Sequence, residues 1–200
     1  MGRILAINPG STSTKVAVFE GREPLFTEVI AHSASDLAFY RRIADQYPLR
    51  REAVLTSLAA HGIDPTELAA VVGRGGMLRP VPSGTFRVSA SMLAELSAEG
   101  PREHASNLGA IVAHEIASQV GVPAFIVDPV CVDEFEPLAR ISGLPEIERR
   151  SLSHALNLKA AARRAAAELG RPYESLNLIV VHMGGGISVS PHRRGRMIDV

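Results

Sequence analysis

The residues best suited to chemistry lie in two short loops. Asn8-Pro9-Gly10-Ser11-Thr12-Ser13-Thr14-Lys15 gathers a glycine, a run of hydroxyl side chains, backbone N–H groups and a cation. A loop that cradles phosphate needs those groups. It is not a Walker A loop: the second glycine before the lysine is missing, and a β-branched strand follows where a P-loop opens a helix. A phosphate here would sit on a β-hairpin, and the competing reading is an ordinary polar turn. The second loop, His182-Met183-Gly184-Gly185-Gly186, follows an apolar run. Three glycines cost folding entropy, which close backbone approach to a phosphate, a hinge or a tight turn would each explain.

Other residues are suited to a partner's charge. Arg74, in Gly73-Arg74-Gly75-Gly76, has neighbours without side chains to shield it, which suits bidentate contact with a carboxylate or phosphate, the alternative being an ordinary surface arginine in a glycine turn. Asp128, between an apolar run and Pro129, could hold Mg2+ or cap a turn. His154 and His104 read as hydrogen-bonded structural histidines unless context says otherwise. The seven histidines and Cys131 lack the spacing of a zinc site.

The elements that must position these residues alternate between strand and helix, which predicts an α/β domain. Apolar runs at 4–7, 16–19 and 25–30 read as a β-meander, with 9–14 and 21–24 as its turns. Helical spacing covers 48–61, 89–96, 107–120 and 153–169; buried strands are expected at 68–72, 124–127 and 178–181. Setting Ile4 on Leu178 lays Asn8 on His182 and Gly10 on Gly184, with later strands at 188–190 and 196–200. The pattern reads as a duplication. It places one domain over 1–170 and the opening strands of a second, incomplete one over 171–200.

Composition narrows the function. Lys plus Arg and Asp plus Glu are 21 each, so the 200-residue chain carries no net charge. That disfavours nucleic acid and anionic membranes as partners, as does a 4% aromatic content without Trp. Lys15 and Lys159 are the only lysines against an arginine background; beside a plain codon bias toward arginine, the competing reading is that a surviving lysine marks a need for a compact ammonium, and Lys15 falls in the first loop. One cysteine, no membrane-length apolar run and no signal-like start predict a cytoplasmic protein.

Ile-Asn-Pro-Gly-Ser-Thr-Ser-Thr-Lys at 7–15, Val-Gly-Arg-Gly-Gly-Met-Leu at 72–78, Val-Asp-Pro-Val at 127–130, Pro-Glu-Ile-Glu-Arg-Arg at 145–150 and His-Met-Gly-Gly-Gly-Ile-Ser-Val at 182–189 together resemble butyrate kinase. The resemblance implies the acetate and sugar kinase/Hsp70/actin superfamily: an actin-like ATPase (ribonuclease H-like) fold of duplicated α/β domains with mixed sheets. It implies reversible transfer from ATP to a carboxylate, giving an acyl phosphate and ADP, with Mg2+, in a homo-oligomer. Butyrate is the expected acid, with acetate or isobutyrate as alternatives. The roles it implies are phosphate or magnesium-water contacts for Asn8, Ser11, Ser13 and Lys15, and a grip on carboxylate and phosphoryl for Arg74. Asp128 would help place Mg2+, His154 would stabilise the phosphoryl group in flight, and His182 with Gly184, Gly185 and Gly186 would meet nucleotide phosphates. Acetate kinases carry a second histidine four residues beyond the one matching His154; here that position is Leu158. The family's adenine pocket, a second phosphoryl-gripping arginine and a late acidic magnesium ligand would lie beyond Val200. Residues 1–200 alone are therefore expected to turn over poorly. The competing readings are a non-catalytic piece and an actin- or Hsp70-like nucleotide-binding module.

Overall fold

The computed structural model describes residues 2–184 and 186–200. They form two compact units, one holding the chain up to Leu78 together with Thr85–Val127, the other Arg79–Gly84 with Asp128–Val200. The boundary expected at 170/171 falls inside the second of these units.

The first unit opens with the expected meander: β1 (Arg3–Pro9), β2 (Ser13–Glu20) and β3 (Glu23–Ala31). Leu5 and Ile7 on β1, and Val16 and Val18 on β2, are buried, so period-two burial selects this register. α1 (Ala34–Ala38) and α2 (Tyr47–Ala60) follow, and Pro48 at the start of α2 suits a position whose N–H has no helical acceptor. β4 (Leu68–Arg74) and β5 (Thr85–Arg87) precede α3 (Ala90–Ser97) and α4 (Leu108–Val120). α4 ends on Gly121 at φ 73°, a left-handed cap suited to glycine. β6 (Ala124–Val127) completes a mixed sheet in the order β3-β2-β1-β4-β6-β5. β4 runs parallel to both β1 and β6, while the meander and β5 pair antiparallel. α4 lies against β4, β6 and β1, burying Leu108, Ile111, Val112 and Ile116 among others.

The second unit sets α5 (Ala155–Glu168) on an antiparallel sheet of β7 (Asn177–Met183), β8 (Ile187–Arg193) and β9 (Arg196–Met197). Ala162, Ala166, Tyr173 and Leu176 form a cluster with Leu178 and Val180 packed against it. Leu158 is buried with Val132, Ala155 and Met197, so the position where acetate kinases carry a second histidine is core here. The alignment that sets Ile4 on Leu178 carries Arg3 onto Asn177 and Pro9 onto Met183, so β1 and β7 coincide end to end. The third strand expected over 196–200 is only two residues long. Beyond it the chain finds other partners: Glu136 N–H donates to the Ile198 carbonyl, Ser190 Oγ to the Asp199 carbonyl and an Arg149 Nη2 to the Val200 carbonyl. Among the described residues no helix is long and apolar enough to cross a membrane.

Candidate functional site

In the first unit the site grows from the C-terminal ends of two parallel strands. β1 brings Asn8 to its end, opposite Lys15 of β2 in the hairpin register. β4 brings Arg74 to the adjacent end, and its Nη1 donates to Asn8 Oδ1 at 3.3 Å. Ser11 is exposed in the turn and Ser13 half-buried at the start of β2; Lys15 is exposed on its solvent side. A cavity of about 370 Å3 opens here, lined by Gly10, Ser11, Ile43, Gln46, Arg74 and His104 among others. Asn8, Ser11 and Arg74 are therefore brought to one place, polar at one wall and apolar at Ile43. A cavity of a few hundred Å3 with a few convergent polar groups is suited to a small ligand.

The glycines around Arg74 serve packing. A Cβ on Gly73 would stand 2.0 Å from the Gly109 carbonyl oxygen, and one on Gly76 2.7 Å from Asn107 Cα. α4 thus presses its first turn onto the end of β4. Asn107 locks the contact, accepting the Met77 N–H and donating to the Leu96 and Arg102 carbonyls. His104 lies beside this turn, its Nδ1 accepting the Ser106 N–H.

Arg50, which the sequence reading passed over, lies beneath the first loop. It is fully buried, and Nη1 donates to the carbonyls of Gly10 and Ser13 and to Thr14 Oγ1. Nη2 reaches the Ser11 carbonyl and Gln46 Oε1. Burial holds its guanidinium below the usual arginine range. Thr14 Oγ1 accepts from Arg50 and also lies 2.8 Å from His32 Nε2. Burial, then the Arg50 charge, push His32 below its ordinary range. The signal for Arg50 is its spacing: it shares one helix face with Val54, Ser57 and Leu58, all buried.

The second unit gathers a different set. His154, at the start of α5, stacks on His182 of β7 at 3.8 Å between ring centroids and 10° between planes. His154 Nδ1 lies 3.0 Å from Ser188 Oγ. Asn157 Nδ2 lies 2.6 Å from His182 Nδ1; an amide nitrogen only donates, so the His182 proton sits on Nε2. A Cβ on Gly184 would stand 3.2 Å from that Nε2, and one on Gly186 3.1 Å from His154 Cε1. Both glycines thus leave room beside the paired rings. Gly185 lies outside the described residues.

Asp128 is held by neighbours within the second unit. Its carboxylate is 1% exposed. Oδ1 accepts from Ser83 Oγ at 2.6 Å and Gly84 N–H at 2.9 Å, and Oδ2 from Arg163 at 3.1 Å. Two neutral donors and the Arg163 guanidinium thus share its oxygens. All three donors come from sequence-distant segments. Among the described residues no group of three or more His, Cys, Asp or Glu side chains is placed to hold a metal ion. Asn8 Oδ1, exposed and met by one long bond, can still accept. Lys159, the other lysine, is buried in an ion pair with Glu134 at 2.6 Å.

No family model matches the chain. The fold is found in solved structures of a Porphyromonas gingivalis acetate kinase (TM-score 0.67, 18% identity, covering 100% of this chain and 57% of that one). A Francisella tularensis propionate kinase gives a TM-score of 0.69 at 18% identity, covering 100% of this chain and 56% of that one. An Entamoeba histolytica acetate kinase gives 0.65 at 15% identity, covering 99% and 54%. The mixed α/β architecture is therefore the acetate kinase-like, actin-like ATPase fold. The chain spans a little over half the length of these structures.

Proposed function

We propose that the chain supplies the acyl-substrate site and part of the nucleotide site of a carboxylate kinase, which makes an acyl phosphate and ADP from a short-chain acid and ATP. The observation that carries the reading is Arg74 beside Asn8, above a hydroxyl-rich loop and against a cavity with apolar and polar walls. Acetate and propionate kinases sharing the fold support the reaction class. The butyrate-type motifs at 7–15, 72–78 and 182–189 support an acid longer than acetate.

A carboxylate oxygen would form its bond to the γ-phosphorus as the bond to the bridging β–γ oxygen breaks, ADP leaving with that oxygen. Such transfer needs positioning and charge stabilisation more than covalent help. Arg74 would hold the carboxylate and offset charge on the transferring group. Asn8, Ser11, Ser13 and Lys15 would contact phosphates, His154 would stabilise the phosphoryl oxygens, and His182 with Gly184, Gly185 and Gly186 would meet the nucleotide. ATP would enter as its magnesium complex, the ion carried by phosphates, which suits magnesium's habit of keeping few protein ligands. The protein is proposed to act in the cytoplasm and as a homo-oligomer.

Trapping the acyl phosphate with hydroxylamine tests the reading. A protein carrying this chain should form hydroxamate from butyrate and isobutyrate faster than from acetate. Arg74→Ala should abolish turnover while nucleotide binding survives, which separates a kinase from a binding module. No hydroxamate from butyrate, isobutyrate, propionate or acetate would reject it.

A further inference from the structure

Arg50 has no carboxylate among its described partners, although it is sealed from solvent. A buried charge without a counter-ion is costly unless dipoles and hydrogen bonds surround it. Here the dipoles are the carbonyls of Gly10, Ser11 and Ser13, two of them consecutive. The peptide unit is planar and trans, with the N–H of each following residue antiparallel to the carbonyl before it. Holding the Gly10 carbonyl therefore turns the Ser11 N–H away from Arg50, and holding the Ser11 carbonyl does the same for Thr12. Both residues are exposed, so these N–H groups face outward. Successive outward amides form an anion cradle, and the uncompensated guanidinium behind them adds a positive field.

We propose that Arg50 is a positioning residue that holds the Gly10 and Ser11 carbonyls inward and so presents the Ser11 and Thr12 N–H groups as a two-amide cradle for a phosphoryl oxyanion. The inference rests on the loop being the phosphoryl side of the proposed kinase site. A purely structural tie between α2 and the β1–β2 turn makes a different prediction. Were Arg50 only such a tie, its replacement by an apolar residue would cost stability by stranding its carbonyl acceptors, but a folded variant would bind anions as before.

The test uses the 15N-labelled chain titrated with sodium pyrophosphate, and separately with inorganic phosphate, at constant ionic strength. The Ser11 and Thr12 amide resonances should move together and saturate. In folded Arg50→Met, pyrophosphate affinity should fall by about tenfold or more, with the paired movement lost. Arg50→Lys keeps the charge but not the planar fork, so it should remain several-fold weaker than the parent. If Arg50→Met does not fold, Gln46→Leu removes one acceptor that orients the guanidinium and should weaken binding by a smaller factor. Amides that ignore both anions in the parent chain would overturn the proposal. So would unchanged affinity in folded Arg50→Met, or in Gln46→Leu where that variant stands in for it. Full recovery by Arg50→Lys would leave charge alone as the cause and overturn it too. The titration involves no turnover, so failure to form hydroxamate with the anion response intact rejects the kinase reading and not this one.

Discussion

Asp128 combines a buried carboxylate, a φ of 39° and three donors, and asparagine separates what each contributes. Asparagine tolerates the left-handed backbone and keeps one oxygen for Ser83 and Gly84, but it cannot pair with Arg163. Asp128→Asn should therefore lower unfolding stability in urea by about 1–3 kcal/mol, with the magnesium concentration for half-maximal hydroxamate formation unchanged. A shift in that requirement without loss of stability would instead identify Asp128 as a metal ligand. At this scale the chain could be read where a residue's neighbours in sequence reveal its task. Arg74 stands out between glycines, and Asn8 ends an apolar strand before a hydroxylated turn. Arg50 does not, because it follows Leu49 in an arginine-rich helix start and its acceptors lie in a loop some forty positions earlier. The occupation of Asp128 was hidden for the same reason: Ser83 and Arg163 are 45 and 35 residues away.

Among elements, the joint between β4 and α4 governs where Arg74 stands. Gly73 and Gly109 meet backbone to backbone; a Cβ on Gly109 would lie 2.2 Å from the Arg74 carbonyl oxygen. No flexible side chain can yield there, so Gly73→Ala must part the strand end from the helix's first turn. Overpacking of this kind costs about 1–3 kcal/mol, and the displacement moves Arg74 from Asn8. The expected outcome is lower urea stability together with a raised KM for the acid. Gly143, with nothing within 4 Å of an added Cβ, is the matched control; Gly143→Ala should stay within about 0.5 kcal/mol of the parent. Equal stability and KM in the two variants would show that the joint does not position Arg74. The strands and long helices were legible because their apolar spacing repeats over several residues, as in Leu68–Arg74 and Leu108–Val120. Thr85–Arg87 is too short to show a period and is held by its pairing with β6. The sequence pattern also extended the third strand of the second sheet past Met197, where side chains and a neighbouring loop take over the backbone bonds.

For the molecule as a whole, the sheet of the second unit presents two unlike faces. Leu178 and Val180 pack toward the cluster under α5, with Ser188, Ser190 and His192 buried beside them. The alternate residues, Ile179, Val181 and Met183 on β7 and Ile187 and Val189 on β8, are all exposed. In the hairpin register Val181 faces Val189 and Met183 faces Ile187, so these side chains form one contiguous apolar strip. Scattered exposed apolar residues are ordinary on a protein surface, but a contiguous strip is not. The 200-residue chain should therefore bind a hydrophobic dye such as ANS while folded, and its sedimentation coefficient should rise with concentration. Ile179→Lys combined with Val189→Lys places two charges within that strip and removes no contact with α5. The double variant should lose most of the dye signal and sediment as a monomer, with its midpoint of thermal unfolding nearly unchanged, as surface substitutions away from packed contacts are worth only about 0.5 kcal/mol. If the parent chain neither binds the dye nor associates, the strip is covered in solution. A large fall in the unfolding midpoint of the variant would mean that this face is part of the core.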